Sequence, residues 1–355
     1  MSPALAQAVE CIRDAAAERR PLCIRGGGTK DFYGNAPRGA LLATGSLCGI
    51  VEHQPSELVL TALGGTPLED IEATLLEHGQ MLAFEPPHFG PGATLGGCVA
   101  AGLAGPRRAS SGPSHGGVRD FVLGARLVDG SGRLLRFGGT VMKNVAGYDV
   151  SRALAGSLGI LGLIVEVSLK VLPRPAVEAS LRLEMDLEAA LDRLQRWAGR
   201  ALPISASAWV GGCLNLRLSG SSSAVAEGMA EIGGEGFAGE SFWSDVREQR
   251  LPFFSGQAPL WRVALPARAP GLDLGREEFI EWNGMLRWIH SDRPPEVVRA
   301  RAEALGGHAT LFRGGDRSCG VFHPLQPALL DIHRRLKAEF DPAGILNPGR
   351  LYAEF

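Results

Sequence analysis

Through the first twenty residues Glu10, Asp14 and Glu18 recur at four-residue spacing within an otherwise apolar stretch, and the pattern predicts an amphipathic helix over 7–19. The turn at Arg20-Pro21 leads into a short apolar strand, 22–24, which runs straight into Arg25-Gly26-Gly27-Gly28-Thr29-Lys30. Residues 58–63 read as a second strand. Thr66-Pro67-Leu68-Glu69 after it predicts an N-cap, a proline at the first helical position and the reciprocal glutamate of a capping box, hence a helix over 67–78. Strands are expected at 122–128 and 133–137 around Asp129-Gly130-Ser131-Gly132, and β-branched alternation over 161–172 predicts another, closed by Pro173-Arg174-Pro175. This half of the chain is mixed α and β.

Past residue 175 the texture changes: glycine thins out and five of the six tryptophans lie after position 200, so a second domain with different packing is expected. Helices are predicted over 187–200 and 222–232, with strands at 204–210, 214–218 and 261–265, the pattern of a small α+β sandwich with Trp261, Trp282 and Trp288 in its core. Residues 327–340 form a clear amphipathic helix, followed by the extended tail 341–350.

A chain of 355 residues, 45% of them apolar, buries a large core and is long enough for two domains. A formal charge of -2 gives no electrostatic footprint for nucleic acid. The most apolar stretch, 158–172, holds Glu166 and Lys170 and is too short and polar to span a bilayer. The acidic residues of the first helix do not suit a signal peptide, so the expected location is the cytoplasm. Cysteines 11, 23, 48, 98, 213 and 319 lack metal-ligand spacing and are expected as reduced, mostly buried thiols, with any iron–sulfur centre on a partner.

Eighteen of the chain's 48 glycines fall between Phe89 and Pro173, more than packing requires. Glycine among strand-like segments lets backbone amides approach a ligand closely, and a phosphate-bearing cofactor is the natural guest. Two loops, 25–30 and 90–97, are placed to wrap one diphosphate. Gly234-Glu-Gly-Phe-Ala-Gly239 has dinucleotide-fingerprint spacing but follows a predicted helix rather than a strand, and is expected to be an ordinary loop. Lys30 is not in a P-loop. His115 is open between loop histidine and cofactor contact; His308 and His323 are expected to be structural, and no metal site is expected.

Taken together, Arg25-Gly-Gly-Gly-Thr29, Pro91-Gly-Ala-Thr-Leu-Gly-Gly97, Gly116-Gly-Val-Arg-Asp120, Lys143-Asn-Val-Ala-Gly-Tyr-Asp149, Gly156-Ser-Leu-Gly-Ile-Leu-Gly-Leu-Ile164 and Phe340-Asp-Pro-Ala-Gly-Ile-Leu-Asn-Pro-Gly349 resemble the FAD-linked oxidases with the vanillyl-alcohol-oxidase type (PCMH) fold. Within that family the length and wording are similar to the smaller flavin subunits of bacterial glycolate oxidases.

The resemblance implies an α+β fold: a PCMH-type FAD-binding domain over 1–175, with subdomains of about 1–57 and 58–173, a reduced α+β cap over 176–326, and a terminal helix and tail, 327–355, returning to the flavin domain. It implies non-covalent FAD, because no histidine stands in the first loop. Arg25, Gly26, Gly27, Gly28 and Thr29 would hold the pyrophosphate; Pro91, Gly92, Thr94, Leu95, Gly96 and Gly97 would cover it and the ribityl chain. Gly162 and Ile164 would lie near adenine, with Gly116, Val118, Ser157 and Asn347 along the cofactor.

The implied activity is oxidation of glycolate to glyoxylate, the hydride passing to flavin N5 and the electrons onward to an iron–sulfur subunit, in a complex with a larger flavin subunit. Membrane contact, at the inner membrane, would be made through these partners. Relatives acting on 2-hydroxy acids often carry H-x-G-D-G-N-x-H in the cap; here the nearest stretch, Leu311-Phe-Arg-Gly-Gly-Asp-Arg317, lacks the histidines, and G-S-E-G-T-L-G becomes Gly156-Ser-Leu-Gly-Ile-Leu-Gly162. A substrate carboxylate could be clamped by Arg262, Arg287 or Arg313, and its hydroxyl deprotonated by His115 or His323. A non-catalytic flavin relay or structural subunit is the alternative, and an NADPH-dependent enolpyruvyl-glucosamine reductase of the same fold a third reading.

Overall fold

The computed structural model describes residues 1–111, 116–139, 149–275 and 277–355. His115 and most of the Lys143–Asp149 motif lie outside the described residues. The chain forms two compact units: Met1–Leu103, Gly117–Pro173 and Pro324–Phe355 make the first, Ala104–Gly116 and Arg174–His323 the second.

In the first unit, helix Pro3–Glu18 begins four residues earlier than its composition suggests, because Ser2 caps it by accepting the Leu5 N–H and Pro3 opens the first turn. Its buried face, Leu5, Ala8, Val9, Ile12 and Ala15, packs on Leu22, Leu42, Val128, Val165 and the tail residues Ile345 and Leu346. Each fully buried aliphatic side chain there contributes roughly 1.5–3 kcal/mol. Strand Leu22–Arg25 pairs in parallel with Ala40–Ala43, and Leu346 bridges to Leu22 in the parallel sense, so the tail enters the same layer.

A five-stranded antiparallel sheet runs in the order Ile50–Gln54, Val59–Leu63, Leu163–Lys170, Val122–Val128, Leu134–Gly138. Leu163–Lys170 occupies its centre, which explains why the segment reads as almost continuously apolar. Helix Leu68–Glu77 forms, but without the expected capping box: Pro67 is its N-cap and makes no side-chain cap bond. Thr66 instead accepts the Gly49 N–H at 2.9 Å and donates to Gly49 O at 3.1 Å, stitching a neighbouring loop to the sheet. The tertiary partner outbids the local one.

The second unit is one eight-stranded antiparallel sheet, ordered Glu235–Phe237, Val177–Glu184, Cys213–Gly220, Ile204–Val210, Glu278–Glu281, Leu286–His290, Leu260–Ala264, His308–Arg313. Helices Leu187–Ala198 and Ser222–Ile232 supply the core over one half of it; Val298 and Ala302 of helix Pro295–Ala304 serve the other, where Trp261 is buried. Trp282 and Trp288 are buried in this unit as well. Gly234–Gly239 follows helix Ser222–Ile232 and itself forms the edge strand Glu235–Phe237 before helix Glu240–Glu248, so no strand leads into the glycines as a dinucleotide site requires.

Ala104–Gly116 joins this second unit although the sequence on both sides belongs to the first. Trp282 Nε1 donates to Gly105 O at 2.9 Å, and the buried Arg107 pairs with Glu178. No periodicity marks such a strap, because its partners lie far along the chain.

The cysteines correct one expectation: Cys98 alone is buried, Cys11, Cys23 and Cys213 are half-buried, and Cys48 and Cys319 are exposed. Cys48 lies in the connection between strands Ala40–Ala43 and Ile50–Gln54, and Cys319 ends the single 3-10 turn Arg317–Cys319. No helix among the described residues is long and apolar enough to cross a membrane.

Candidate functional site

Strand Leu22–Arg25 delivers the first glycine loop to the lip of a cleft within the first unit. Arg25 to Asp31, Thr44, Thr94, Gly96, Gly97, Gly162, Ile164, Asn347 and Arg350 are among the residues that line it. Glycine is required here by close approach of two loops. A Cβ on Gly27 would stand 1.7 Å from Gly92 O, and one on Gly26 2.2 Å from Thr94 Oγ1, so the first loop cannot carry side chains where it meets the second. Gly28 has φ +75, a left-handed conformation that side-chain-bearing residues rarely adopt.

Among the described residues the N–H groups of Gly27, Gly28 and Thr29 have no protein acceptor. Three successive amide donors left over beside a cleft, with Lys30 and Arg350 also lining it, form a neutral-to-cationic nest suited to a diphosphate. The second loop differs. Leu95, Gly96 and Gly97 donate to Thr66 O, Gly64 O and Thr94 Oγ1, so those amides are already spent in starting helix Leu95–Ala101. Thr94, Gly96 and Gly97 still line the cleft, as walls rather than as donors.

The far wall is the Leu158–Ile164 segment, fastened from the C-terminus. Asn347 accepts the Ile24 N–H at 2.6 Å and donates to Leu158 O at 2.6 Å, and its own N–H reaches Leu22 O at 2.9 Å. Lys337 Nζ, buried in the terminal helix Pro327–Phe340, donates to Ile160 O and Leu346 O, each at 2.8 Å, and to Asp341 Oδ2 at 2.6 Å. Burial pushes this ammonium below the usual lysine range, and Asp341 pulls it partly back. Arg350 closes the lip by donating to the carbonyls of Asn35, Lys30 and Asp31.

Of the residues expected along a cofactor, Arg25, Gly26, Gly27, Gly28, Thr29, Thr94, Gly96, Gly97, Gly162, Ile164 and Asn347 line this cleft. Pro91, Gly92, Leu95, Gly116, Val118 and Ser157 do not. Gly92 instead touches the first loop through its carbonyl, and Leu95 and Val118 are core residues. Gly116 belongs to the second unit, and the Ser157 hydroxyl accepts the Gly159 N–H at 3.4 Å. Sequence reasoning missed Lys30, Asp31, Thr44 and Arg350. The last directly follows the Asn347-Pro-Gly349 motif and could have been found there.

The substrate-binding candidates lie in the second unit and separate by environment. Arg287 is fully buried and spent: it donates to Gly284 O at 2.8 Å, Ala269 O at 2.9 Å and Glu278 Oε2 at 3.1 Å. It is an internal cross-link, not a clamp. Arg313 donates to Gln249 Oε1 at 3.1 Å and is pushed down by burial. Arg262 is half-buried with its guanidinium 5.2 Å from the centre of the Trp282 ring, whose other cationic neighbour is Arg108 at 4.7 Å.

His323 accepts the Ala309 N–H at Nδ1, 3.4 Å away, and lies 6.4 Å from the His308 ring. Burial lowers both imidazoles, and Arg262 lowers His308 further. Both are therefore neutral imidazoles at pH 7. Among the described residues no group of three His, Cys, Asp or Glu is placed to hold a metal ion.

Residues 4–152 match the family described as FAD binding domain, and residues 319–351 that described as FAD linked oxidases, C-terminal domain. The chain is 48% identical to the glycolate oxidase subunit GlcE of Escherichia coli (strain K12) over 346 residues, 98% of this chain and 97% of that protein. It is 31% identical to the glycolate oxidase subunit GlcD of Bacillus subtilis (strain 168) over 165 residues, 46% of this chain and 34% of that one. Among solved structures, alkyldihydroxyacetonephosphate synthase superposes with a TM-score of 0.68 at 16% identity, covering 97% of this chain and 75% of that one, and so shares the fold.

Proposed function

Because this chain belongs to the FAD-linked oxidases, where it is similar to GlcE over nearly its whole length, we propose that it is the FAD-binding subunit of a glycolate oxidase. The observation that carries the reading is the loop of free amides at Gly27 to Thr29, seated on a second glycine loop and locked from behind by Asn347. FAD, when bound, supplies the two-electron acceptor that amino-acid side chains lack.

The chain's own part is binding and orientation. Gly27, Gly28 and Thr29 hold the diphosphate with neutral donors, Lys30 and Arg350 add charge, and Gly162 and Ile164 wall the adenine end. Gly26 and Gly27 keep the first loop in contact with Thr94 and Gly92 of the second, and Gly96 and Gly97 wall the cleft. The cofactor is non-covalent, consistent with a first loop that offers no histidine.

For the substrate carboxylate we retain Arg262, half-buried against the Trp282 ring, whereas Arg287 is held in the core by Glu278. His323, the base candidate of this unit, already accepts the Ala309 N–H at Nδ1. The partners of the reading are a larger flavin subunit, of which GlcD is the relative, and an iron–sulfur subunit that carries electrons away; attachment at the inner membrane would pass through them.

Anaerobic addition of glycolate to the purified, flavin-loaded chain tests the reading. Bleaching of the flavin band by glycolate, and not by NADPH, is expected. Bleaching by NADPH alone would replace the reading with a reductase, and absence of any bound flavin after incubation with FAD would end it.

A further inference from the structure

Four ionisable side chains line the cleft beside the first glycine loop: Arg25, Lys30, Asp31 and Arg350. Three are cationic and suit a diphosphate. Asp31 is the one carboxylate among them, and a carboxylate beside a diphosphate opposes its binding.

Its placement is specific. Asp31 Oδ2 lies 2.5 Å from Arg25 Nη2, and the Arg25 side chain folds back over the loop to meet it. A Cβ added to Gly28 would stand 2.4 Å from that Nη2 and 2.7 Å from Nε, so the guanidinium occupies the space that a side chain on Gly28 would fill. The charge is thus drawn along the stretch of loop whose amides are unpartnered.

The two partners are not equally fixed. The Asp31 N–H donates to Gly28 O at 3.1 Å, and its carbonyl accepts from Arg350 Nη2 at 3.1 Å, so the short carboxylate arm is anchored at its root. Arg25 reaches it on a long, rotatable stem. With side chains 45% and 40% exposed, the pair is screened by water and contributes little stability, which leaves the guanidinium cheap to reassign.

Resting on the assignment of this loop to FAD, we infer that Asp31 is an internal competitor of the cofactor diphosphate for Arg25, and that it sets how readily FAD leaves the protein. Without cofactor the carboxylate neutralises Arg25. With a diphosphate present the guanidinium has a second anion within the same lining, one that also takes the loop amides, and the carboxylate is left to water. A built-in competitor lowers affinity for the diphosphate half of the cofactor specifically.

Titration of the full-length apoprotein with FAD, read by flavin fluorescence, tests this. Asp31→Asn is expected to bind FAD about fivefold more tightly, the scale of one screened charge contact, and Asp31→Glu to stay close to the unsubstituted protein. Riboflavin, which lacks phosphate, should bind all three alike. Arg25→Ala should weaken FAD binding, and adding Asp31→Asn to it should recover little, because the contested group is gone.

Equal or weaker FAD binding by a folded Asp31→Asn variant would overturn the inference while leaving the cofactor assignment standing. So would an equal gain for riboflavin, or an undiminished gain in the Arg25→Ala background. Failure of the unsubstituted apoprotein to bind FAD at all would overturn the assignment and the inference together.

Discussion

Asn347 and Ile24 stand 323 residues apart in the chain and 2.6 Å apart in space, the side-chain oxygen of one accepting the backbone N–H of the other. The same amide group donates to Leu158 O, so a single side chain near the C-terminus ties the strand that feeds the first glycine loop to the opposite wall of the cleft. Asn347 has φ +42, a left-handed conformation that asparagine tolerates better than most residues.

Asn347→Ala leaves the Ile24 N–H and the Leu158 carbonyl without their partner. Orphaning two groups of this kind is expected to cost about 3 kcal/mol. Urea unfolding with an unchanged slope and a lower midpoint is the outcome to look for, together with less flavin retained per chain. A midpoint equal to that of the unsubstituted protein would show that the amide is dispensable.

Gly27→Ala and Gly236→Ala separate the cradle from the look-alike fingerprint. At Gly27 the added methyl meets Gly92 O at 1.7 Å, and the two loops must part; at Gly236 it meets nothing within 4 Å. The first variant should purify with little or no flavin, and the second with the normal complement. Absorbance ratios of the purified proteins decide the matter, and flavin loss from Gly236→Ala would restore the fingerprint as a site.

Arg287→Ala should act on stability. Removing one member of a buried pair leaves Glu278 uncompensated, at a cost of about 3–5 kcal/mol. Arg262→Ala should weaken reduction of the flavin by glycolate, with the melting temperature recorded beside it because the side chain also packs on Trp282. Should the two variants exchange phenotypes, the carboxylate clamp would belong to Arg287.

Burial pushes the Cys98 thiol up to about 12, against an ordinary value of 9.0. A raised pKa means that the folded protein holds this proton more tightly than the unfolded chain. Its contribution to stability is then complete below pH 9, is lost progressively between 9 and 12, and falls by about 1.4 kcal/mol per pH unit in that window. Urea titrations at pH 8 and pH 10.5 should show a larger loss for the unsubstituted protein than for Cys98→Ala. Equal losses would place the thiolate equilibrium elsewhere.

Periodicity reads local surroundings, and where those decided the outcome it succeeded. The run over 161–172 is a central strand, Leu163–Lys170, because both faces of a central strand are covered and its apolar residues give it away. Strand Ile204–Val210 and helix Pro327–Phe340 fall where their patterns end, at a glycine turn and at Asp341-Pro342. The capping box at Thr66 failed for the complementary reason: Gly49, a partner brought in by the sheet, took the hydroxyl that the helix would have used.

The glycine pattern and the apolar alternation determined from the amino-acid sequence alone a mixed α and β chain with a phosphate-bearing cofactor expected at its glycine loops. The resemblance carried by those motifs and by the terminal Asn-Pro-Gly identified that cofactor as FAD. Only the tertiary structure decided what each residue does there: that Gly26 and Gly27 are bare because Thr94 and Gly92 press on them, that Leu95, Gly96 and Gly97 have spent their amides, and that Arg287 belongs to the core. It also decided that Ala104–Gly116 joins the second unit and that Asn347 locks the cleft. Backbone propensity and hydrophobic period are properties of neighbours in sequence, whereas donors, charges and contacts are allotted among neighbours in space, and those are chosen only when the chain has folded.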